Sequence, residues 1–370
     1  MMIFVEKLVE TLRKNKIDFY TGVPDSILKN LSIILDKFSK KKHIIATNEG
    51  SAVGLGIGYF LSTKKIACVY LQNSGLSNAI NPLLSIASKK VYSIPLLLII
   101  GWRGSPGKKD EPQHLAKGEI TKKILKLLKI EFCVLKKNND LKKLERLVKK
   151  SNRTGKIVAC LVEKGTLKNK VKFIHKKYDK NKVTREKFIT DLLKYIPSSS
   201  KIISTTGYTS RELMQVREEK NLNRGKDFYM VGGMGHSSIV ALGYSLKSNR
   251  KVFCLDGDGS LLMHLGSLRT IAFNSNSKFK HILLNNNSHE SVGGQITTAD
   301  GINFKNLTKS LGYKNYFKIS KDSEIRKITN KFIKVKGPSF LEVKIMEGSM
   351  KNLVRPKNLI SIKKSFMNKK

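Results

Sequence analysis

Short apolar runs alternate along the chain with longer segments whose apolar residues recur every three or four positions. In the first half the runs are "KIDFYTG", "KHIIAT", "IACVYLQ" and "IPLLLIIG", and segments such as "SILKNLSIILDKF" lie between them. Runs of this length are typical of buried strands, and the periodic segments are typical of amphipathic helices. Their alternation predicts a parallel α/β sheet that is covered by helices on both faces.

The same alternation resumes in the second half, where the runs are "KIISTTG", "KVFCLDG", "HILLNN" and "SFLEVKIM". A lysine-rich stretch separates the two halves. We therefore predict two doubly wound parallel-sheet α/β domains, residues 1–170 and 183–370, joined by a linker at 171–182. The final segment "SIKKSFMNKK" is expected to be a solvated tail.

The chain is strongly basic. Its 370 residues carry 71 Lys and Arg against 28 Asp and Glu, a formal net charge of +43. Such an excess fits nucleic-acid binding, an anionic membrane surface, or a solvent-facing coat of lysine. Because the charges are spread along the chain and not concentrated in one helix or strand, we favour the lysine coat and expect no specific nucleic-acid partner. A basic nucleic-acid-binding protein is the alternative from a different class.

The four cysteines of the chain are Cys68, Cys133, Cys160 and Cys254. They lie far apart inside apolar runs without CxxC spacing, which indicates reduced core residues of a cytoplasmic protein. The first segment, "MMIFVEKLVETLRKNKI", contains acids at amphipathic spacing and predicts a helix, not a signal peptide. The longest apolar stretch, "IPLLLIIGW", is too short to span a bilayer, so we expect no membrane association.

The most distinctive turns follow two apolar runs of the second half. Asp258 lies between Gly257 and Gly259 after "KVFCL", and Asn285 and Asn286 follow "HILL". Because the carboxyl ends of parallel strands meet at one edge of a sheet, we expect the acid and the amides to lie side by side. A carboxylate and an amide oxygen suit an Mg²⁺ ion that also binds phosphate, although a glycine-flanked acid alone is common in turns.

The spacing of these GDG and NN turns resembles the diphosphate and metal motif of thiamine-diphosphate (ThDP) enzymes. The resemblance implies ThDP and Mg²⁺ as cofactors, with three protein ligands of the metal: Asp258, Asn286 and the Ser288 carbonyl. It also implies that the cofactor contacts Gly257, Gly259 and Ser260.

Glu49, in "ATNEGSAVGLGIGYFL", matches the catalytic glutamate that protonates the aminopyrimidine ring of the cofactor in such enzymes. It follows an apolar run and opens a Gly/Ala-rich helix, where apolar neighbours favour a carboxyl group that retains its proton. A glutamate that merely complements the helix dipole is the alternative.

Two glycine-containing turns extend the resemblance. In "VGGMGHSS" it implies that Met234 supports the bent cofactor and that the Gly232 carbonyl accepts a hydrogen bond from the amino group of its pyrimidine. A flexible loop with a buried methionine is the alternative. In "STTGYTS" the resemblance places Thr206 and Gly207 near the diphosphate.

Longer segments are similar to the phosphonopyruvate decarboxylase family, among them "FYTGVPDSILKN", "GWRGSPGKKDEPQH" and "FKHILLNNNSHESVGGQIT". The resemblance implies a pyrimidine domain followed by a diphosphate domain, without the middle domain of larger ThDP enzymes. It further implies decarboxylation of 3-phosphonopyruvate to phosphonoacetaldehyde and CO₂ in phosphonate biosynthesis. Sulfopyruvate or another anionic 2-oxoacid is the alternative substrate. At least a homodimer is implied, with the active site at the subunit interface.

Several polar side chains are candidates for the substrate side of the site. We expect Asp25 and His114 to be catalytic, as polar or proton-relay groups. Arg103 and Lys109 are candidate anion contacts, and His289, just past the metal loop, is a further substrate candidate. A helix N-cap at Asp25 and solvated positions for the two loop cations are the alternatives.

Four other histidines, His43, His175, His264 and His281, are expected to be structural. The chain differs from the family pattern in "NNNSHES", because a glycine commonly follows the asparagine pair. Asn287 stands there, and asparagine adopts the left-handed backbone conformation more readily than most residues. We therefore expect the metal loop to keep its shape.

Overall fold

The structure, a computed structural model, describes residues 2–169, 183–222 and 227–368. They form two compact units that divide between 169 and 183, and the short segment Val292–Gln295 clusters with the first unit. The expected linker at 171–182 lies outside the described residues, as does His175.

The described part of the first unit has eight strands, of which six form one parallel sheet and two form a separate pair. Its strands are β1 (Ile3–Phe4), β2 (Tyr20–Gly22), β3 (His43–Ile45), β4 (Ala67–Gln72), β5 (Leu96–Gly101), β6 (Glu131–Leu135), β7 (Val158–Val162) and β8 (Leu167–Lys168). Its helices are α1 (Val5–Lys14), α2 (Lys29–Leu35), α3 (Glu49–Thr63), α4 (Leu76–Pro82), α5 (Pro112–Leu127) and α6 (Asp140–Thr154). The strand order is β3-β2-β4-β5-β7-β6, and β1 pairs separately with β8.

The second unit repeats this plan. Its strands are β9 (Lys201–Ser204), β10 (Asp227–Tyr229), β11 (Val252–Gly257), β12 (Phe279–Asn285), β13 (Asn315–Ile319) and β14 (Ser339–Lys344). Its helices are α7 (Arg185–Tyr195), α8 (Tyr208–Glu219), α9 (Ser237–Ser245), α10 (Asp258–Met263), α11 (Ser267–Asn274), α12 (Phe304–Leu311), α13 (Ile325–Lys334) and α14 (Leu359–Met367). The strand order is β10-β9-β11-β12-β14-β13.

Strand for strand, the two orders are the same, with β2 to β7 corresponding to β9 to β14. All pairings within the two large sheets are parallel. The central strands β5 and β12 are buried along their whole length, because helices cover both faces of each sheet. The predicted pair of doubly wound α/β domains is therefore confirmed.

The strand order reverses between β2 and β4 in the first unit, and between β9 and β11 in the second. At such a reversal, neighbouring loops leave the sheet in opposite directions and open a crevice beyond the carboxyl ends of the strands. Asp25 follows β2, and Asp258 follows β11. Each unit therefore places a buried acid at its reversal point.

The expectation of a solvated C-terminal tail is wrong for α14. Phe366 of this helix is 6% exposed and packs against Phe228 and Tyr244. The ammonium group of Lys201, itself buried, donates to the Phe366 carbonyl at 2.5 Å, and a cation at a helix C-terminus is favourable. One aromatic residue in a lysine-rich segment is thus enough to dock a short helix.

The described residues agree with the expectation of buried cysteines and, for His43 and His281, with that of structural histidines. The four cysteines are free and buried. His43 shares a hydrogen bond of 2.8 Å with the Tyr70 hydroxyl, and His281 shares one of 2.8 Å with the Tyr313 hydroxyl. No helix in the described ranges is both long enough and apolar enough to cross a bilayer.

Candidate functional site

Asp258 begins α10 directly at the end of β11 and is 3% exposed. Burial raises the pKa of its carboxyl group, and a hydrogen bond from the Thr297 hydroxyl to Oδ2, at 2.6 Å, opposes that rise. Backbone N–H groups of Asp258 and Gly259 also lower this pKa, but burial is the larger effect, and a nearby cation would stabilise the carboxylate further.

The two asparagines after β12 have different roles. The Asn285 amide is buried and donates to Oε1 of Glu342 at 3.0 Å, which holds it against β14. Asn286 donates from Nδ2 to Oε2 of Glu290 at 3.1 Å, while its Oδ1 accepts from the Ser288 backbone N–H at 3.0 Å. An amide oxygen has two lone pairs, so Asn286 Oδ1 can also bind a cation.

Thr297 links the Asp258 carboxylate to the asparagine loop, because its backbone N–H donates to the Asn287 carbonyl at 3.0 Å. Asn287 has a φ of 57°, which confirms the expected left-handed conformation. Asn287 Oδ1 and Ser288 Oγ are buried without a hydrogen-bond partner. Carboxylate, amide, hydroxyl and carbonyl oxygens thus lie in the two neighbouring turns at the ends of β11 and β12, and Thr297 joins these turns.

The two glycine-containing loops predicted to contact the cofactor are both hydrogen-bonded to Ser260 of the GDG turn. Its Oγ accepts from the Thr205 hydroxyl at 3.0 Å and from the Gly235 backbone N–H at 3.1 Å. Gly207 precedes α8 with a φ of 94°, a conformation that disfavours any side chain. The sequence candidates Thr206, Gly207, Gly232 and Met234 therefore lie in the two loops flanking the GDG turn.

His289 lies over the GDG turn, and a Cβ atom built at Gly259 would stand 2.6 Å from its Cε1. Burial lowers the pKa of His289 to about 4, so the ring is neutral at pH 7. As a substrate contact it would offer a neutral hydrogen bond and no positive charge. The close approach also explains why the turn needs glycine at 259.

In the first unit, Asp25 is fully buried beyond β2. Its Oδ2 accepts from the backbone N–H groups of Ile27 and Leu28 at 3.0 and 3.2 Å, and Oδ1 accepts from Gln72 Nε2 at 2.5 Å. Burial raises the pKa of Asp25, and the Gln72 hydrogen bond opposes the rise. The helix α2 has Leu28 at its N-cap, so Asp25 does not have the N-cap role weighed for it and instead accepts from the turn before the helix. Its burial leaves the acid protonated more readily than a surface carboxylate.

Glu49 is the first residue of α3 and is 5% exposed. Asn48 caps this helix by accepting from the Ser51 backbone N–H at 2.8 Å. The Asn78 amide donates to Glu49 Oε2 at 2.9 Å. A Cβ atom at Gly75 would overlap Oε1, so the carboxylate is confined between α4 and the turn before it.

Arg103 lies two residues after the end of β5. Its guanidinium donates two hydrogen bonds to the Asp110 carboxylate, and the one from Nε to Oδ2 is 2.7 Å long. Its Nη1 also donates to the Ser26 hydroxyl at 3.0 Å. Lys109 is exposed in the same loop, and His114 lies half-buried in the first turn of α5. The structure thus pairs Arg103 with an acid and fixes it beside the turn that carries Asp25.

Similarity to known proteins identifies the family of the chain. Two protein-family models match the chain: the N-terminal TPP binding domain of thiamine pyrophosphate enzymes over residues 2–125, and their C-terminal TPP binding domain over residues 205–343. A relative at 31% identity over 91% of the chain adds to this match. The chain belongs to the thiamine pyrophosphate (ThDP) enzyme family.

Curated relatives narrow the assignment within ThDP enzymes. Phosphonopyruvate decarboxylases of Streptomyces viridochromogenes and Streptomyces hygroscopicus are 30% and 31% identical, over 96% and 91% of this chain and 92% and 86% of theirs. A sulfopyruvate decarboxylase of Methanosarcina acetivorans is 25% identical over 93% of this chain and 92% of its own. The chain is therefore a ThDP-dependent 2-oxoacid decarboxylase, and both cofactor-binding domains of the family match it.

The turns after β11 and β12 of the second domain contain the kinds of oxygen ligand that Mg²⁺-bound ThDP requires. Mg²⁺ prefers hard oxygen ligands and few carboxylates, and it shares its coordination shell with substrate phosphates. Here one buried carboxylate, one amide oxygen and buried oxygens without partners lie together. The N-terminus of α8, preceded by Gly207, adds backbone N–H groups suited to a phosphate. The residues present therefore fit ThDP with Mg²⁺.

Sequence reasoning missed the residues that hold the candidate side chains in place. They are Gln72, Asn78, Asp110 and Thr297. Each lies far along the chain from its partner or in an unremarkable context, so no local pattern marks it. Thr297 is the clearest case, because 39 residues separate it from the carboxylate to which it donates.

Replacement of Gly75 with alanine tests the confinement of Glu49. Because the new methyl group would overlap the Glu49 carboxylate, we expect Gly75→Ala to displace that side chain and lower decarboxylase kcat at least about tenfold. The matched control is Gly54→Ala within α3, where a Cβ atom meets nothing within 4 Å. Steady-state kinetics, with circular dichroism to verify folding, would refute the packing argument if both variants kept full activity.

Proposed function

We propose that the protein decarboxylates 3-phosphonopyruvate to phosphonoacetaldehyde and CO₂, with ThDP held by Mg²⁺. The observation that carries the proposal is the buried Asp258 carboxylate, joined through Thr297 to the turn with unpartnered oxygens, in a chain similar to phosphonopyruvate decarboxylases over nearly its whole length. We further propose a cytoplasmic homo-oligomer, at least a dimer, with the active site at the subunit interface. We propose that this reaction belongs to phosphonate biosynthesis.

In the second domain, Asp258, Asn286 and the Ser288 carbonyl would bind Mg²⁺, and Gly257, Gly259 and Ser260 would lie against the diphosphate. The close packing of His289 and Thr297 against Gly259 supports a fixed conformation of this turn. Thr205 and Gly235 hold the Ser260 hydroxyl, which supports a preformed site. Met234 and Gly232 would contact the thiazolium and pyrimidine portions.

When bound, ThDP supplies the electron sink that takes up the electron pair released as CO₂ leaves the substrate. Glu49 would share a proton with the cofactor's pyrimidine ring. Its burial and the hydrogen bond from Asn78 to Oε2 support this role, because they hold the carboxyl group in one position.

On the substrate side, Asp25 would hold or return a proton, and its raised pKa supports that role. Arg103 is fixed by Asp110 and Ser26, with guanidinium N–H groups to spare for an anion. The net charge of +43 draws small polyanions to the surface. His114, Lys109 and His289 remain candidate contacts of the phosphonate.

A comparison of three substrates tests the proposed specificity. We expect kcat/KM for phosphonopyruvate to exceed that for sulfopyruvate, and both to exceed that for pyruvate by about a hundredfold or more, because a pocket built for a second anion rejects a substrate lacking it. Aldehyde production by the purified protein with ThDP and Mg²⁺ would be measured for each. A preference for sulfopyruvate would reassign the substrate, and a preference for pyruvate would contradict the anion pocket.

Substitution of Glu49 tests the catalytic proton. Glu49→Gln keeps the size and the Asn78 contact but cannot share a proton, so we expect kcat to fall by roughly 10²- to 10⁴-fold while ThDP still binds. Glu119→Gln, at an exposed position of α5, is the matched control and should behave as wild type. Calorimetric ThDP affinity is measured beside turnover. Near-normal turnover of Glu49→Gln would remove Glu49 from the mechanism.

A further inference from the structure

We propose that Arg185 is a positioning residue for the metal site and acts through Glu290 to fix the side-chain amide of Asn286. Arg185 would thereby hold the amide oxygen of Asn286 toward the cation. This inference rests on the proposed Mg²⁺ site of the same domain, and it assigns a function to a buried ion network that sequence reasoning left without one.

The contact that orients Asn286 is its hydrogen bond to Glu290. A side-chain amide can rotate by half a turn and exchange its oxygen for its nitrogen, which would turn a donor toward a cation. In this structure Nδ2 donates to Glu290 Oε2 at 3.1 Å, and Oδ1 accepts from the Ser288 backbone N–H at 3.0 Å. Both contacts favour the same orientation, with the oxygen available to a metal.

Glu290 is in turn fixed by Arg185. Arg185 Nη2 lies 2.7 Å from Glu290 Oε2, the oxygen that also accepts from Asn286. The other carboxylate oxygen of Glu290 accepts from the Gly348 backbone N–H. Each oxygen of Glu290 therefore has a strong donor, so the carboxylate cannot turn away from Asn286 without breaking a charge-assisted hydrogen bond.

Arg185 itself is 5% exposed at the start of α7. Its Nη1 lies 2.9 Å from Glu212 Oε1 on α8 and donates to the Gly348 carbonyl at 3.2 Å. The guanidinium thus joins two helices, the metal loop and the segment before α14. A single ammonium group lacks the planar geometry to satisfy these partners together, so lysine is a poor substitute.

The arrangement matches the way in which outer contacts usually tune a metal site. Residues that orient a ligand, without touching the metal, commonly change metal affinity by 10- to 100-fold when removed. Arg185 also places a positive charge beside Glu290, so that Glu290 is held for Asn286 and is not drawn toward the cation as a further ligand. Both effects favour the ligand set of Asp258, Asn286 and the Ser288 carbonyl.

The test is a double-mutant cycle read by metal affinity and not by activity. The dissociation constant of Mn²⁺ in the presence of ThDP is measured by electron paramagnetic resonance for wild type, Arg185→Met, Asn286→Ala and the double variant. We expect Arg185→Met to weaken Mn²⁺ binding by roughly 10- to 100-fold, and to add less than about twofold in the Asn286→Ala background. Arg185→Lys should lie between wild type and Arg185→Met.

Arg217→Met is the matched control, because Arg217 forms an equally buried pair with Asp227, at 2.8 and 2.9 Å, in the same domain. It should lower thermal stability while leaving Mn²⁺ affinity within about twofold of wild type. Should Arg185→Met fail to fold, Arg185→Lys decides the question, with binding weakened several-fold as the supporting result.

Unchanged Mn²⁺ affinity in the folded Arg185 variants would overturn the inference, and so would equal effects of Arg185→Met with and without Asn286. A loss of affinity in Arg217→Met as large as in Arg185→Met would also overturn it, because general destabilisation would then explain both. Wild-type protein that binds neither Mn²⁺ nor ThDP would instead contradict the proposed function itself. The two failures are therefore distinguishable.

Discussion

Removal of a carboxylate from water costs free energy unless hydrogen bonds or a cation compensate, and the second domain depends on how this cost is met. Asp258 is buried at the end of β11 with one side-chain hydrogen bond, from Thr297. The parallel sheet brings the oxygens of the loop after β12 to the same edge, where two of them lie buried without partners. The divalent cation that we propose, with the diphosphate it would carry, would satisfy these groups together.

The repeated topology explains how one chain builds two strand-end sites of different chemistry. Both domains have the same strand order, so each has a crevice where that order reverses. In the first domain the acids Asp25 and Glu49 are buried and accept hydrogen bonds from side-chain amides and, at Asp25, from backbone N–H groups, and burial raises the pKa of Asp25. In the second domain the corresponding edge gathers oxygens, which suits a metal. The side chains at the strand ends, and not the fold, decide the chemistry.

The sequence was sufficient for the fold and for the residues that local patterns mark. Alternating periodicity predicted both sheets, and the turns after β11 and β12 predicted Asp258 and Asn286 as neighbours. Contacts between residues distant in the chain left no such pattern: Thr297 beside Asp258 and Arg185 beside Glu290 required the folded structure. Composition was misleading for α14, because lysine content suggested a tail where Phe366 docks a helix.

In the proposed site, the oxygens after β11 and β12 bind the divalent cation of the cofactor. Crystals grown with ThDP and Mn²⁺, an ion of similar ligand preference, would locate it by anomalous scattering. We expect one strong peak within coordination distance of Asp258, Asn286 and the Ser288 carbonyl. A peak instead at the buried group of Cys254, Asp256 and His281, whose ligand atoms lie within 4.8 Å of one another, would contradict it, as would occupied ThDP with no peak at Asp258.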